Sequence, residues 1–465
     1  DQDINPIILL KNFSKVYTKT SQMGFEALLV GCKCVCFGTP FYSGWGLTDD
    51  RVKNQRRKRK LTLREVFAAS YILYSKYYNP YKKRESEIFD TLKSIVRFRK
   101  IERISNKKIY LLGFSLWKRN YLLSFLKEFK KNNIHFISES NFYKKLISKK
   151  LKFNEIIIYI WGSKKYPRIE RIAADNNVKI IRVEDGFIRS LGLGSDLTRP
   201  YSLVFDDLGI YYDPSKKSRL EEIINNTTLD KEIISEAKDL ISLIKDFSIS
   251  KYNYIYHTKI DLPEKQKKLL VVGQVEDDAS VILGTNSMTN LNLLTKVKKE
   301  NPDAFIIYKP HPDVIAGNRL GQINEKDKKN YSDLVLEDVN ITELITLVDE
   351  IHTMTSFVGF EGLLQGKTVV TYGNPFYSGW GLTKDKIKSN RRKKFLNLEE
   401  LVAAALILYP RYIDPSTENY CTPDVLVKYI HGLKSKLKHN IFYKLYYFSR
   451  TYFIRKLQRI FNLFL

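Results

Sequence analysis

Short apolar runs alternate with longer amphipathic stretches through the middle of the chain, a rhythm that predicts strands over 108–112, 155–159, 179–183, 268–272, 304–308, 350–353 and 368–372. Each run ends in a loop rich in Gly, Pro or polar residues. The pattern is that of doubly wound α/β domains, in which ligands sit beyond the carboxyl ends of the strands. Residues 248–267, rich in Tyr, Lys and Asp and containing Pro263, read as a hinge between two such sheets. The expected architecture is therefore two Rossmann-like domains facing across a cleft, 107–256 and 267–410. A helical linker at 86–106 precedes them, and a helical, basic, amphipathic tail at 411–465 follows.

Superimposed on this rhythm is one long phrase written twice. Thr20-Ser21, Gly24-Phe25-Glu26, Gly38 and 40–48 (PFYSGWGLT) recur at a constant offset as Thr355-Ser356, Gly359-Phe360-Glu361, Gly373 and 375–383. So long a period belongs to duplicated domains, since stacked arrays repeat every ~20 to 50 residues. Matching Gly, Pro, Trp and Tyr imply that both copies build the same tight turn, its backbone close to something it must bind. The first copy has almost no lead of strands before it. Residues 1–85 are thus expected to be the remnant of a first catalytic module that continues N-terminally in the natural chain.

Composition narrows the class. The 465 residues have room for roughly two to four domains. Of the four cysteines, Cys32, Cys34 and Cys36 alternate along one apparent strand, where buried thiols act as small apolar residues; no second Cys/His pair lies close by to complete a metal site. A reducing, cytoplasmic setting is expected. No apolar run approaches the ~20 residues a membrane span needs. The net charge of +27, from 78 Lys and Arg against 51 Asp and Glu, calls for an anionic partner. The basic stretches at 51–60 and 391–394 are either solvated loops or face an anionic substrate. At 434–465 apolar residues near helical spacing are interleaved with Lys and Arg, which favours a helix lying in a membrane interface over one packed on the protein. A nucleic-acid-binding protein or a membrane scaffold without transferase activity is the alternative. Against nucleic acid, most aromatics lie in strands, turns and the tail instead of among surface cations.

Three loops carry candidate chemistry. After the strand at 179–183 come the paired carboxylates Glu184 and Asp185, then Gly186, Arg189, Ser190, Gly192 and Gly194, a combination of acid, cation and turn residues at a strand end. Arg189 can hold an anionic group through its bidentate fork. After 304–308, Lys309 precedes His311, whose neighbours Pro310 and Pro312 restrict the backbone and aim the imidazole, as a phosphate clamp or a structural histidine. Ser356, before Gly359 and Glu361, fits either a plain N-cap or a hydroxyl beside helix amides that bind a phosphate. Gln274 closes the first strand of the second domain. Asp206-Asp207 and Asp277-Asp278 read as caps and turns, and no metal is expected.

Taken together, 184–187 (EDGF) with Arg189-Ser190 and 192–200, Gly273-Gln274-Val275, 309–312 (KPHP), and Gly359-Phe360-Glu361 with the repeated block closely resemble the KpsC/LipA capsule polysaccharide β-Kdo transferases. The resemblance implies tandem glycosyltransferase modules of GT-B architecture. It implies CMP-Kdo as donor, no cofactor, and a lyso- or phosphatidylglycerol-linked Kdo acceptor at the cytoplasmic face of the inner membrane, reached here through the basic tail. It further implies Asp185 as nucleophile of a retaining double displacement with Glu184 beside it, and His311 and Ser356, with Lys309, Pro312 and Gly359, at the nucleotide; Arg189 is assigned to the sugar carboxylate and Glu361 to the nucleotide on chemistry alone. Residues 1–85 lack the acid-bearing half and are expected to be silent, so that the chain elongates a linker without starting one.

Overall fold

The computed structural model of the chain describes residues 4–148, 151–192, 196–251, 253, 260–315, 317, 319–337 and 339–462. The middle of the expected hinge and Gly194 lie outside these residues. The chain divides into two compact units, Asp1–Arg99 and Lys100–Leu465.

In the first unit a parallel sheet orders β1 (Lys15–Thr18), β2 (Lys33–Cys36) and β3 (Asp49–Asp50), with α1 (Met23–Leu29) joining the first two. A π-helical turn at Ala68–Tyr74 leads to the hairpin β4 (Tyr77–Asn79) and β5 (Arg84–Ser86), and then to α2 (Ile88–Glu102). Cys34 and Cys36 pack with Phe25, Tyr42 and Val66 in the unit's core. Burial pushes the Cys34 thiol up to about 12, which keeps it protonated and apolar in behaviour.

The second unit contains two sheets. The first has the order β18-β17-β10-β9-β8-β6-β7. Its parallel strands are β6 (Lys108–Leu112), β7 (Ile134–Phe136), β8 (Ile156–Trp161) and β9 (Lys179–Asp185), with α3 (Leu116–Leu122) after β6. β10 (Ser202–Asp206) returns antiparallel to β9, and the helices α4 (Arg219–Asn226) and α5 (Lys231–Asp246) follow. The second sheet is entirely parallel, in the order β13-β12-β11-β14-β15-β16: β11 (Lys268–Val272), β12 (Phe305–Lys309), β13 (Leu334–Val335), β14 (Glu350–Thr353), β15 (Thr368–Thr371) and β16 (Lys384–Asp385). Between β14 and β15 lies α6 (Phe357–Leu364). The near-continuous Leu, Ile and Val of β11 and β12 are buried from both faces, as a helix-covered parallel sheet requires.

The chain then goes back to the first sheet. The stretch from 411 was expected to be a helical tail, but β17 (Pro410–Ile413) and β18 (Tyr420–Cys421) extend the sheet beyond β10. Tyr412, Ile413, Tyr420 and Cys421 are buried there, and Arg411 forms a 2.6 Å ion pair with Glu128. Helix begins only at α7 (Pro423–His439), where Pro423 occupies the first turn, and continues in α8 (Ile441–Asn462).

Candidate active site at the carboxyl ends of the sheets

β9 carries Glu184 and Asp185 at its carboxyl end, and the chain turns immediately afterwards because β10 passes alongside. A Cβ on Gly186 would stand 2.2 Å from Ser202 Oγ, so no larger residue fits. Ser202 in turn donates to the Ile188 carbonyl and fixes the turn. Asp185 Oδ2 accepts from Arg189 Nε at 2.6 Å, while Arg189 also donates to Ser190 Oγ at 2.9 Å. Asp185 Oδ1 is buried and accepts no hydrogen bond from the described residues. Glu184 Oε1 accepts the Asp185 amide at 3.0 Å, and Tyr212 donates to Oε2 at 3.4 Å. Burial, then the Asp185 charge, pushes Glu184 well above the usual carboxylate range, against the pull of Lys118 and Lys251.

At the second sheet the expected residues also gather at strand ends, though with different tasks. Gln274 is committed internally: its Oε1 accepts the Thr355 amide at 2.8 Å and its Nε2 donates to Thr355 Oγ1 at 3.0 Å. It therefore shapes the turn before α6. Lys309 Nζ donates to the Glu337 carbonyl at 3.0 Å. His311 is followed by Pro312 in the short helix Pro312–Ile315, and its Nδ1 accepts the Asp313 amide at 3.2 Å. Burial lowers its pKa, so the imidazole is biased to the neutral form. With Nδ1 occupied as acceptor, the proton resides on Nε2, which is then a donor. Ser356 caps α6, its Oγ accepting the Val358 amide at 3.2 Å. Glu361 Oε1 accepts the Lys251 amide at 2.9 Å, and burial pushes its pKa up to about 7.

Side-chain contacts join the two groups. Phe187, two residues after Asp185, stacks on Phe357 at 5.6 Å and on Phe376 at 4.4 Å between ring centroids. Burial dominates the shifts of both Tyr212, upward, and His311, downward, and the Asp278 carboxylate acts on each as a lesser influence, so the tyrosine that touches Glu184 and the imidazole share one electrostatic neighbour.

The repeated phrase builds the same turn in both units, and what its backbone approaches is an arginine. Arg57 Nη1 donates to the carbonyls of Pro40 and Ser43, and Arg392 Nη1 does the same to Pro375 and Ser378. Tyr42 donates to the Ser21 carbonyl and Tyr377 to that of Ser356, each at 2.5 Å. The second copy's Tyr377 thus holds Ser356 in place. A Cβ on Gly359 would lie 2.2 Å from the Tyr377 oxygen, the same clearance that Gly24 gives Tyr42. Part of the basic stretches is therefore internal clamp: Arg392 is buried and paired with Glu221 at 2.9 Å, and Arg391 reaches the same carboxylate at 3.0 Å.

The family profile described as "Capsule polysaccharide biosynthesis protein" matches residues 1–77 and 156–412, which takes in both copies of the block and every residue placed above at the two strand-end groups. The chain belongs to this capsule polysaccharide biosynthesis family. It is 42% identical over 448 residues to the capsule polysaccharide modification protein LipA of Neisseria meningitidis serogroup B, covering 94% of this chain and 62% of that protein. The chain thus spans under two thirds of the length of its LipA relatives. The lipopolysaccharide-processing protein LpsZ of Rhizobium meliloti is 38% identical over 309 residues, 65% of this chain and 70% of LpsZ. Among solved structures, Thermosulfurimonas dismutans KpsC, named as a β-Kdo 2,7 transferase, aligns with a TM-score of 0.59 at 36% identity over 70% of this chain and 100% of that one. The KpsC β-Kdo 2,4 transferase from the same organism aligns with a TM-score of 0.60 at 32% identity over 70% and 98% of the two chains.

In this capsule family member several residues at the site had no signal in the sequence. Tyr212 reaches Glu184 from one segment, while Lys118 and Tyr121 of α3 come within electrostatic range of the acid pair from another, and only the fold brings them together. The C-terminal helix also arrives at the site: the Tyr447 oxygen lies 2.6 Å from where a Cβ on Gly192 would stand, and Arg450 donates to the Leu197 carbonyl at 3.1 Å. The tail packs on the protein along one stripe and leaves the rest of its circumference exposed. Tyr443, Tyr447, Arg450, Thr451 and Ile454 form a half-buried stripe at helical spacing, while Phe442, Leu445, Tyr446, Phe448, Tyr452 and Phe453 are exposed. Among the described residues no helix is long and apolar enough to cross a membrane.

Proposed function

We propose that the chain transfers Kdo from CMP-Kdo, with retention at the anomeric carbon, onto a β-Kdo linker carried by lyso- or phosphatidylglycerol at the cytoplasmic face of the inner membrane. In this GT-B reading, 107–256 and 267–410 face each other across a cleft, with the acid pair on one wall and His311 and Ser356 on the other. Asp185 carries the proposal: one oxygen is fixed by Arg189 while the other is buried and unpartnered, the state a nucleophilic carboxylate needs. The resemblance to the two KpsC transferases supports the sugar.

Asp185 Oδ1 attacks the anomeric carbon, the bond from that carbon to the phosphate oxygen breaks, and CMP departs with the electron pair. The neutral His311 donates from Nε2, and Ser356 with the first amides of α6 adds further donors to the leaving phosphate. The acceptor hydroxyl then attacks the same carbon, the bond to Asp185 breaks, and the hydroxyl proton passes to Glu184. Its raised pKa suits a base working near neutrality. Two successive inversions give net retention. Glu361 Oε2, which has no hydrogen-bond partner among the described residues, is available to the nucleotide ribose.

Incubation with CMP-Kdo and a β-Kdo-primed lipid analogue tests the scheme. It predicts a product heavier by one Kdo, with the anomeric configuration of the donor preserved by NMR, at a rate unchanged by EDTA. No mass gain, or an inverted linkage, would overturn it.

A further inference from the structure

The sequence offered Arg189 as the partner of the sugar's own carboxylate, but the structure gives that guanidinium to Asp185 and Ser190 and leaves it 1% exposed. An acidic ulosonic sugar still presents a second anion beside the nucleophile, because its carboxylate is attached to the carbon under attack. Two carboxylates already occupy this end of β9, so a third must be met by a cation and a donor.

Helix α3 supplies both on one face, at positions i and i+3. The ammonium of Lys118 sits 3.6 Å above the Trp161 ring, close enough to the acid pair for Glu184 and Asp185 to act on it. Tyr121 is 3% exposed, and its hydroxyl is buried with no hydrogen-bond partner among the described residues. Asp185 is the charge that acts most strongly on that phenol. A buried hydroxyl without a partner forfeits its hydrogen bond to water, so the position makes physical sense when a ligand completes it. Asp185 Oδ1 is likewise buried with no partner among the described residues.

We infer that Lys118 and Tyr121 form the subsite for the carboxylate of the transferred sugar, holding it beside Asp185 so that the anomeric carbon faces Oδ1. The inference rests on the proposed Kdo transfer. Lys118 neutralises the incoming anion, which would otherwise be repelled by Glu184 and Asp185, and Tyr121 fixes its orientation.

Calorimetric titration of the whole chain with CMP and with CMP-Kdo separates the subsite from the nucleotide contacts. Tyr121→Phe and Lys118→Gln should each weaken CMP-Kdo binding by about tenfold while leaving CMP binding within about twofold. Lys118→Arg should recover most of the loss. If the wild-type chain binds CMP-Kdo no better than CMP and transfers no sugar, the functional reading fails and the subsite with it. If the wild-type chain transfers Kdo but both variants bind CMP-Kdo as it does, or lose CMP and CMP-Kdo affinity together, the subsite alone is refuted.

Discussion

Asp185 and Glu184 are adjacent in the chain yet are placed to do opposite things. Arg189 fixes one oxygen of the first and leaves the other without a partner among the described residues, while burial pushes the second toward its protonated form. Side by side they are legible in the sequence, because the whole Glu-Asp-Gly-Phe turn is contiguous and its glycine answers the close passage of Ser202. Lys118 and Tyr121 were not legible, since α3 comes from the other end of the domain and nothing in its own pattern marks it. Gln274 shows the opposite error: a polar residue at a strand end looks like a ligand contact until both ends of its amide are found on Thr355. Glu361 gives a prediction at this scale. Its folded pKa of about 7 lies above the ordinary carboxylate value, so its contribution to stability is complete below about pH 4.5 and lost as pH rises through 7. Glu361→Gln keeps an acceptor for the Lys251 amide and removes the buried charge. Relative to wild type it should gain on the order of 1–3 kcal/mol between pH 5 and pH 8, read from urea unfolding at the two values. A difference independent of pH would contradict the assignment.

At the scale of elements, the duplicated block is a clamp whose two copies are loaded differently. Arg392 is buried between the carbonyls of Pro375 and Ser378 and Glu221 of α4, whereas no carboxylate pairs with Arg57 among the described residues. Arg392→Met leaves the buried Glu221 with Arg391 alone and removes the carbonyl clamp as well, and should destabilise the second unit by about 2–4 kcal/mol. Arg57→Met removes only hydrogen bonds to carbonyls and should cost about 1 kcal/mol in the first. Calorimetric unfolding of the two variants checks the ranking, and equal losses would show that the ion pair adds nothing. The parallel strands at 108–112 and 268–272 were read to the residue because fully buried strands appear as apolar runs. β10, β17 and β18 escaped because short antiparallel strands near a sheet edge carry polar residues and two prolines border them.

Across the whole molecule, charge and apolar surface converge on the C-terminal helix. Its half-buried stripe is tied to Gly192 and Leu197 near the acid pair, and its remaining circumference exposes aromatic residues among Lys and Arg. A membrane surface bound there would lie close to the site proposed to receive a lipid-linked acceptor. Replacing Phe442, Leu445 and Phe448 together by Ser should lower co-sedimentation with anionic vesicles at least tenfold without shifting the unfolding temperature. Unchanged sedimentation would assign the basic tail another role. The central claim is that the sugar passes through Asp185, and the transfer rate of Asp185→Ala tests it most directly, with CMP-Kdo as donor and a Kdo-terminated acceptor. The account predicts a loss of at least about a thousandfold with CMP affinity within about twofold of wild type; a variant transferring Kdo within about tenfold of the wild-type rate would contradict it.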